Sequence, residues 1–216
     1  MNEIISQKQY IAGKTGINFQ NLSQSYLRAE TALGTTSKIS FTLQAGKKEG
    51  TPLVTENLLE LNDEFVVTHF RVGVKAIGSD TPTDLQQYNA QVLMYDDPST
   101  FTGTNAANIS SIYNADLRWT VNRKEFLPAF PVSAFRRVPD TQTAANADYT
   151  SSGITTVNGY PNGLYGFYPC EPLRIDGRQT IDLSINFGTS IAFDDSSFTY
   201  YAVFEARGFL LVNMKD

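Results

Sequence analysis

Over most of the chain, apolar and polar residues alternate with a period of two. Ile39, Phe41 and Leu43 are separated by Ser40 and Thr42. Phe70, Val72, Val74 and Ala76 are separated by Arg71, Gly73 and Lys75, and Ile181, Leu183, Ile185 and Phe187 by Asp182, Ser184 and Asn186. Successive side chains of a strand point to opposite faces, so this spacing predicts strands with one buried and one wet face. Further strands are predicted over Tyr88–Tyr95, Leu117–Val121, Phe126–Arg137, Gly163–Ile175 and Phe198–Val212, where β-branched and aromatic residues concentrate. Asp176-Gly177, between Leu173-Arg174-Ile175 and the alternating run 178–183, predicts a hairpin. Its expected turn is type I′, which needs positive φ at both central residues. A helical pattern occurs only twice. In Asn21–Leu33 the residues Leu22, Tyr26, Ala29 and Leu33 are spaced i, i+4, i+7 and i+11, and Gly34 follows. Ala106–Tyr113 reads as a second short helix. Strands and helices do not alternate, which disfavours a parallel α/β fold.

These elements fall into zones. Residues 1–36 read as an N-terminal arm, polar with isolated apolar anchors at Ile4, Ile5, Tyr10, Ile11 and Phe19. Residues 37–216 read as one sandwich domain with a long polar insertion at 138–162. A structureless connection of that length in a compact domain is usually functional or interfacial. About eight strands with long, unequal connections predict an all-β fold: a two-sheet antiparallel sandwich of jelly-roll, Greek-key type, with an N-terminal arm.

Charge narrows the possible partners. Charged residues are 18% of the chain, against a usual ~25%, so the polar surface is largely Thr, Ser, Asn and Gln. The net charge is −5, and the densest basic pairs are Lys47-Lys48 and Arg136-Arg137. Nucleic-acid binders draw most of their affinity from neutralising phosphates, which needs a basic face or arm. The arm carries Lys8, Lys14 and Arg28 against Glu3 and Glu30. No direct nucleic-acid partner is predicted. Cys170 is the single cysteine, so an intrachain disulfide and a cysteine-based zinc site are excluded. The N-terminus lacks a basic region followed by an apolar one, so no secretory signal is expected. No apolar run approaches the ~20 residues of a membrane span; the longest lies at 208–212.

Catalytic chemistry finds little to use. His69 is the only histidine and sits within a predicted strand, where a polar-face or sheet-edge role is expected. Gly13-Lys14-Thr15 and Gly46-Lys47 lack the upstream glycine of a phosphate loop, since Lys8 and Phe41 occupy that place. The carboxylate pairs Asp63-Glu64, Asp96-Asp97 and Asp194-Asp195 are adjacent in sequence. Neighbours on a strand face opposite ways, so none is by itself a dyad. The last two read as turns, with calcium a weaker alternative. The segment 158–169 holds Tyr160, Tyr165, Phe167 and Tyr168, which suit a core, a protein interface or a sugar platform. No catalytic residue, metal ligand or cofactor is therefore predicted. The candidate interface residues are Ile4, Ile5, Tyr10, Ile11, Phe19, Tyr160, Tyr165 and Tyr168.

The N-terminal arm, the uncharged polar surface, the run Glu171-Pro172-Leu173-Arg174-Ile175-Asp176-Gly177-Arg178 and a final strand over 200–212 together resemble a known class. They are similar to jelly-roll capsid or auxiliary capsid proteins of bacteriophages, including crAss-like and other phages of Bacteroidota. That resemblance implies a non-enzymatic virion protein assembled in the host cytoplasm. Its partners would be other copies of itself and other virion proteins. The alternative is a carbohydrate-binding sandwich, lectin-like or host-attaching, using Tyr160, Tyr165 and Tyr168 with the Asp194-Asp195 loop.

Overall fold

The computed structural model describes residues 2–16, 22–79, 81–97, 100–101, 104–137, 166–193 and 198–211. A helix, α1 (Asn2–Thr15), precedes eight strands: β1 (Ser23–Ala32), β2 (Thr36–Phe41), β3 (Glu64–Ile77), β4 (Asp116–Val121), β5 (Lys124–Pro131), β6 (Tyr168–Asp176), β7 (Ile181–Ile191) and β8 (Thr199–Leu211). Two further helices, α2 (Asp84–Asn89) and α3 (Thr104–Tyr113), lie between β3 and β4. The strands form two four-stranded sheets of order β1-β8-β3-β6 and β2-β7-β4-β5. Every pairing is antiparallel. The fold is thus an all-β two-sheet sandwich. The pairing is nested: first strand with eighth, second with seventh, third with sixth, fourth with fifth. Among the described residues no helix is long and apolar enough to cross a membrane.

The core lies between the sheets. Phe70 of β3 meets Trp119 of β4 edge-on at 5.9 Å, and Phe204 of β8 meets the same indole at 5.4 Å. Phe130 and Phe135 close the cluster at 5.6 and 5.4 Å from Phe70. Edge-to-face aromatic pairs contribute about 0.5–1.5 kcal/mol each beyond the area they bury. The cluster therefore ties one sheet to the other.

Four local expectations are corrected. The stretch Asn21–Leu33 is not a helix; most of it is β1, paired residue by residue with β8 from Ser23↔Leu210 to Ala32↔Tyr201. Leu27 and Ala29 face the core, whereas Tyr26 is 51% exposed, so period two wins over the helical spacing. The sandwich consequently begins inside the expected arm 1–36, and residues 2–15 of that arm are helical. Asp176-Gly177 is not a hairpin turn, because β6 belongs to one sheet and β7 to the other. It is a corner between layers, clamped by the buried Gln44 amide, which donates to the carbonyls of Gly177 (2.8 Å) and Gln179 (2.6 Å). A Cβ at Gly177 would overlap the Glu60 carbonyl oxygen. The two-residue turn with positive φ is Asn122-Arg123 (φ 50° and 65°), between β4 and β5. Finally, Tyr88–Tyr95 is not a strand. Thr83 and Gln86 form a reciprocal capping box that starts α2, and only Leu93 bridges to β3. The expected helix at Ala106–Tyr113 is present as α3.

The outer face of the first sheet is covered at its ends. The segment around Leu53–Asn57 lies over one end, where Lys75 and Glu30 form an ion pair with neither side chain exposed. Thr55 donates to Glu30 at 2.7 Å, Arg28 reaches it at 2.7 Å, and the Lys75 ammonium sits 5.0 Å from the Tyr201 ring. Removing one member of a buried pair leaves an uncompensated charge. Lys75→Ala is expected to lower unfolding free energy by about 3–5 kcal/mol, and the double replacement Lys75→Met/Glu30→Leu to recover most of that loss, read by urea denaturation. A second backbone constraint lies at Gly208 of β8, where a Cβ would collide with the Val66 carbonyl oxygen. Gly208→Ala should cost about 3 kcal/mol or more through overpacking, whereas Gly34→Ala, with open space around it, should leave the thermal midpoint near that of the parent.

Candidate functional site

Strand alternation and register build a charged surface on the outer face of the first sheet. In β8 the outward residues are Glu205 and Arg207; in β1 they are Tyr26 and Arg28. In β3 the pairing shifts between Val67 and His69, so Thr68 is an extra residue and His69 falls opposite Arg207. Such a bulge re-aims the side chains that follow it. Two cross-strand rows result: Arg28, Glu205 and Arg71 in one, Tyr26, Arg207 and His69 in the next. Helix α1 lies beyond them. Its Ile11, 2% exposed, packs with Leu22, Val66 and Phe209, which contributes about 1.5–3 kcal/mol as a buried side chain. Gly16, at φ 72°, ends the helix in the left-handed conformation that glycine tolerates.

Beside α1 runs a cleft of about 760 Å³, lined by Arg28 and Glu205 of the first row, by Tyr26, Arg207 and His69 of the second, and by Gln7, Gln24, Thr68 and Phe167. Glu205 accepts from Arg71 and, at 3.5 Å, from Arg28. The Arg71 and Arg207 guanidinium carbons each lie 4.5 Å from the centroid of the Phe167 ring. Among the described residues Arg207 makes no ion pair; its charged neighbours are the like-charged Arg71 and the Glu205 carboxylate, which Arg71 and Arg28 already engage, and its guanidinium faces Phe167. Burial, then Arg71, holds Arg207 below the ordinary arginine range. Burial, and then the Arg207 cation, push His69 below 6.5, so its imidazole is neutral at pH 7. His69 Nδ1 lies 3.0 Å from Thr68 Oγ1.

His69 also lines a smaller adjoining cleft of about 260 Å³ with Tyr10, Ile11, Cys170 and Pro172. A Cys-His pair is the arrangement that thiol catalysis would need. Burial pushes the Cys170 thiol up to about 12, so almost none of it is thiolate at neutral pH. Among the described residues no group of three or more His, Cys, Asp or Glu side chains is placed to hold a metal ion. Asp96 instead accepts from Arg136 at 2.7 Å and from Ser110, as a turn anchor would.

Comparison with protein-family models, with curated proteins and with solved structures gave no match to this chain.

The residues expected to form an interface separate. Ile4 lies on α1. Ile5 and Tyr10 of the same helix are 43% and 55% exposed. Ile11 does not present an interface, because the chain's own sheet covers it. Tyr168 is half-exposed on β6, its ring 4.8 Å from Phe130. Phe19, Tyr160 and Tyr165 lie outside the described residues. Arg28, Glu205 and Arg207 of the cleft, and Arg71 behind them, were legible only as charges on the wet face of strands. Their register is long-range, and nothing local in the sequence marks it.

The single histidine makes the cleft directly observable. The proton is held less tightly in the folded state than in the unfolded chain. The unfolded state therefore binds more protons just below pH 6.5, and acidification through that window lowers stability until the folded pKa is passed. The His69 imidazole is expected to titrate below 6.5 by NMR. Arg207→Gln should move the midpoint upward, but only part of the way, because burial is the larger cause.

Proposed function

We propose that the protein is a non-enzymatic structural subunit that self-associates into a particle shell, a virion protein of the capsid or auxiliary-capsid kind. The observation that carries this reading is the nested pairing, first strand with eighth through fourth with fifth. We read it as a jelly-roll wrapping of one long antiparallel ribbon. Shell proteins and lectins both use that architecture, and a fold hosts many functions, so the inference to a shell is one of analogy. Two further features support it. The helix ahead of the sandwich exposes Ile5 and Tyr10, the kind of apolar residue that a repeated contact uses. The turn before β3 exposes Leu61, α2 exposes Leu85 and Tyr88, and β1 exposes Tyr26. A closed assembly uses each such patch many times, so weak contacts suffice.

Light scattering on the purified chain, with negative-stain imaging of the same sample, tests this. Rings, capsomers or shells are expected, and Ile5→Ser/Tyr10→Ser should shift the mass distribution toward the 23.9 kDa monomer. A monomer at every concentration that also fails to join a preformed particle would contradict the shell reading.

A further inference from the structure

We propose that the cleft on the outer face of the first sheet binds an acidic saccharide, with its carboxylate on Arg207 beside Arg71 and its hydroxyls on the neutral polar rim. This site is independent of assembly: it can fail with the shell reading intact, and the reverse.

The charge balance is the first argument. On a chain of net charge −5, the outer face of this sheet gathers Arg28, Arg71, Arg207, Lys75 and Arg174 against Glu30, Glu205 and Glu64. Arg28, Arg71 and Lys75 engage Glu30 and Glu205, and Arg174 engages Glu64; Arg207 makes no ion pair among the described residues. A half-buried guanidinium beside a second one, whose nearest acid, Glu205, is already shared by Arg28 and Arg71, is left with hydrogen-bonding capacity for an anion from outside. The guanidinium fork matches a planar carboxylate in two parallel hydrogen bonds.

Preorganisation is the second argument. The Phe167 ring holds both guanidinium groups at 4.5 Å, so less side-chain freedom is lost when a ligand binds. Neutral His69, in the row with Arg207, supplies a hydrogen-bonding group without adding charge.

The rest of the lining selects the kind of acid. Gln7, Gln24, Ser25 and Thr68 offer amides and hydroxyls, and Tyr26 offers an exposed ring. These suit the hydroxyls and the C–H face of a sugar. A volume of about 760 Å³ falls within the roughly 300–1,000 Å³ of small-ligand sites. The alternative is that Arg71 and Arg207 only anchor Phe167, where the chain enters β6.

The test uses the full chain and the resonances of its one histidine, with calorimetry alongside. The probes are glucuronate, glucose, acetate and inorganic phosphate. Glucuronate is expected to shift the His69 signals and raise their titration midpoint, since a bound carboxylate favours the imidazolium. It should bind more tightly than the other three probes. Arg207→Gln should weaken it by roughly 10-fold or more, the loss of a charged hydrogen-bonded pair. Tyr26→Ala, at an exposed position, should weaken it with the fold unchanged, so the test survives if the arginine variant does not fold. Arg118→Gln, on the other sheet, should bind as the parent does. No effect of glucuronate, or parental affinity in both cleft variants, would overturn the site. Acetate or phosphate binding as tightly as glucuronate would reduce it to an anion contact and overturn the saccharide, and glucose doing so would overturn the role of Arg207.

Discussion

The last strand organises one whole layer of the sandwich. β8 is hydrogen-bonded to β1 along one edge and to β3 along the other. Its inner residues Tyr200, Ala202, Phe204 and Ala206 are buried in the core, and its outer residues Tyr201, Val203 and Phe209 are buried beneath covering segments. Both pairings close long loops, because residue 23 meets residue 210 and residue 64 meets residue 211. The entropy of closing them must be met before any contact is gained. The first sheet therefore forms only when the end of the chain has joined its beginning.

Gly208 shows how tight that arrangement is. It sits where β3 carries its extra residue, and its missing side chain lets the Val66 carbonyl approach. The bulge that follows puts His69 in the same row as Arg207. A single backbone accommodation thus shapes both the core side of the sheet and the charged cleft on its other side.

An outer sheet face normally meets water, and its charges are then weakly coupled. Here a covering segment at one end and α1 at the other withdraw the face from solvent. Lys75 and Glu30 become a buried pair, and Lys48 reaches Glu56 at 2.9 Å beneath the same cover. Charges placed that way must be matched, and along most of the face they are. Among the described residues Arg207 makes no ion pair of its own, and that gives the cleft its chemical character. An N-terminal helix that leaves Ile5 and Tyr10 exposed while shaping this cleft joins the surface available for association to the surface available for a ligand.

Alternation at 39–43, 70–76 and 181–187, together with the final run, marked β2, β3, β7 and β8 before any coordinate, because an amphipathic strand shows its period locally. The capping box at Thr83 and Gln86 was also written locally, but the aromatic and β-branched run beyond it drew the strand reading. At Asn21–Leu33 two periods fit the same residues, and only the presence of β8 as a partner chose between them. At Asp176-Gly177 the turn signal was genuine, but a turn does not say whether its flanking strands pair or part. That depended on Gln44 and Glu60, more than a hundred residues away, which hold the corner. The sequence by itself determined the strand-rich, low-charge character of the chain, because burial pattern is a property of neighbours. The sheet order, the course of the arm and the meeting of Arg28, Arg71, Glu205 and Arg207 were decided by tertiary structure alone. Cross-strand register is set by packing between distant segments, and no single segment carries it.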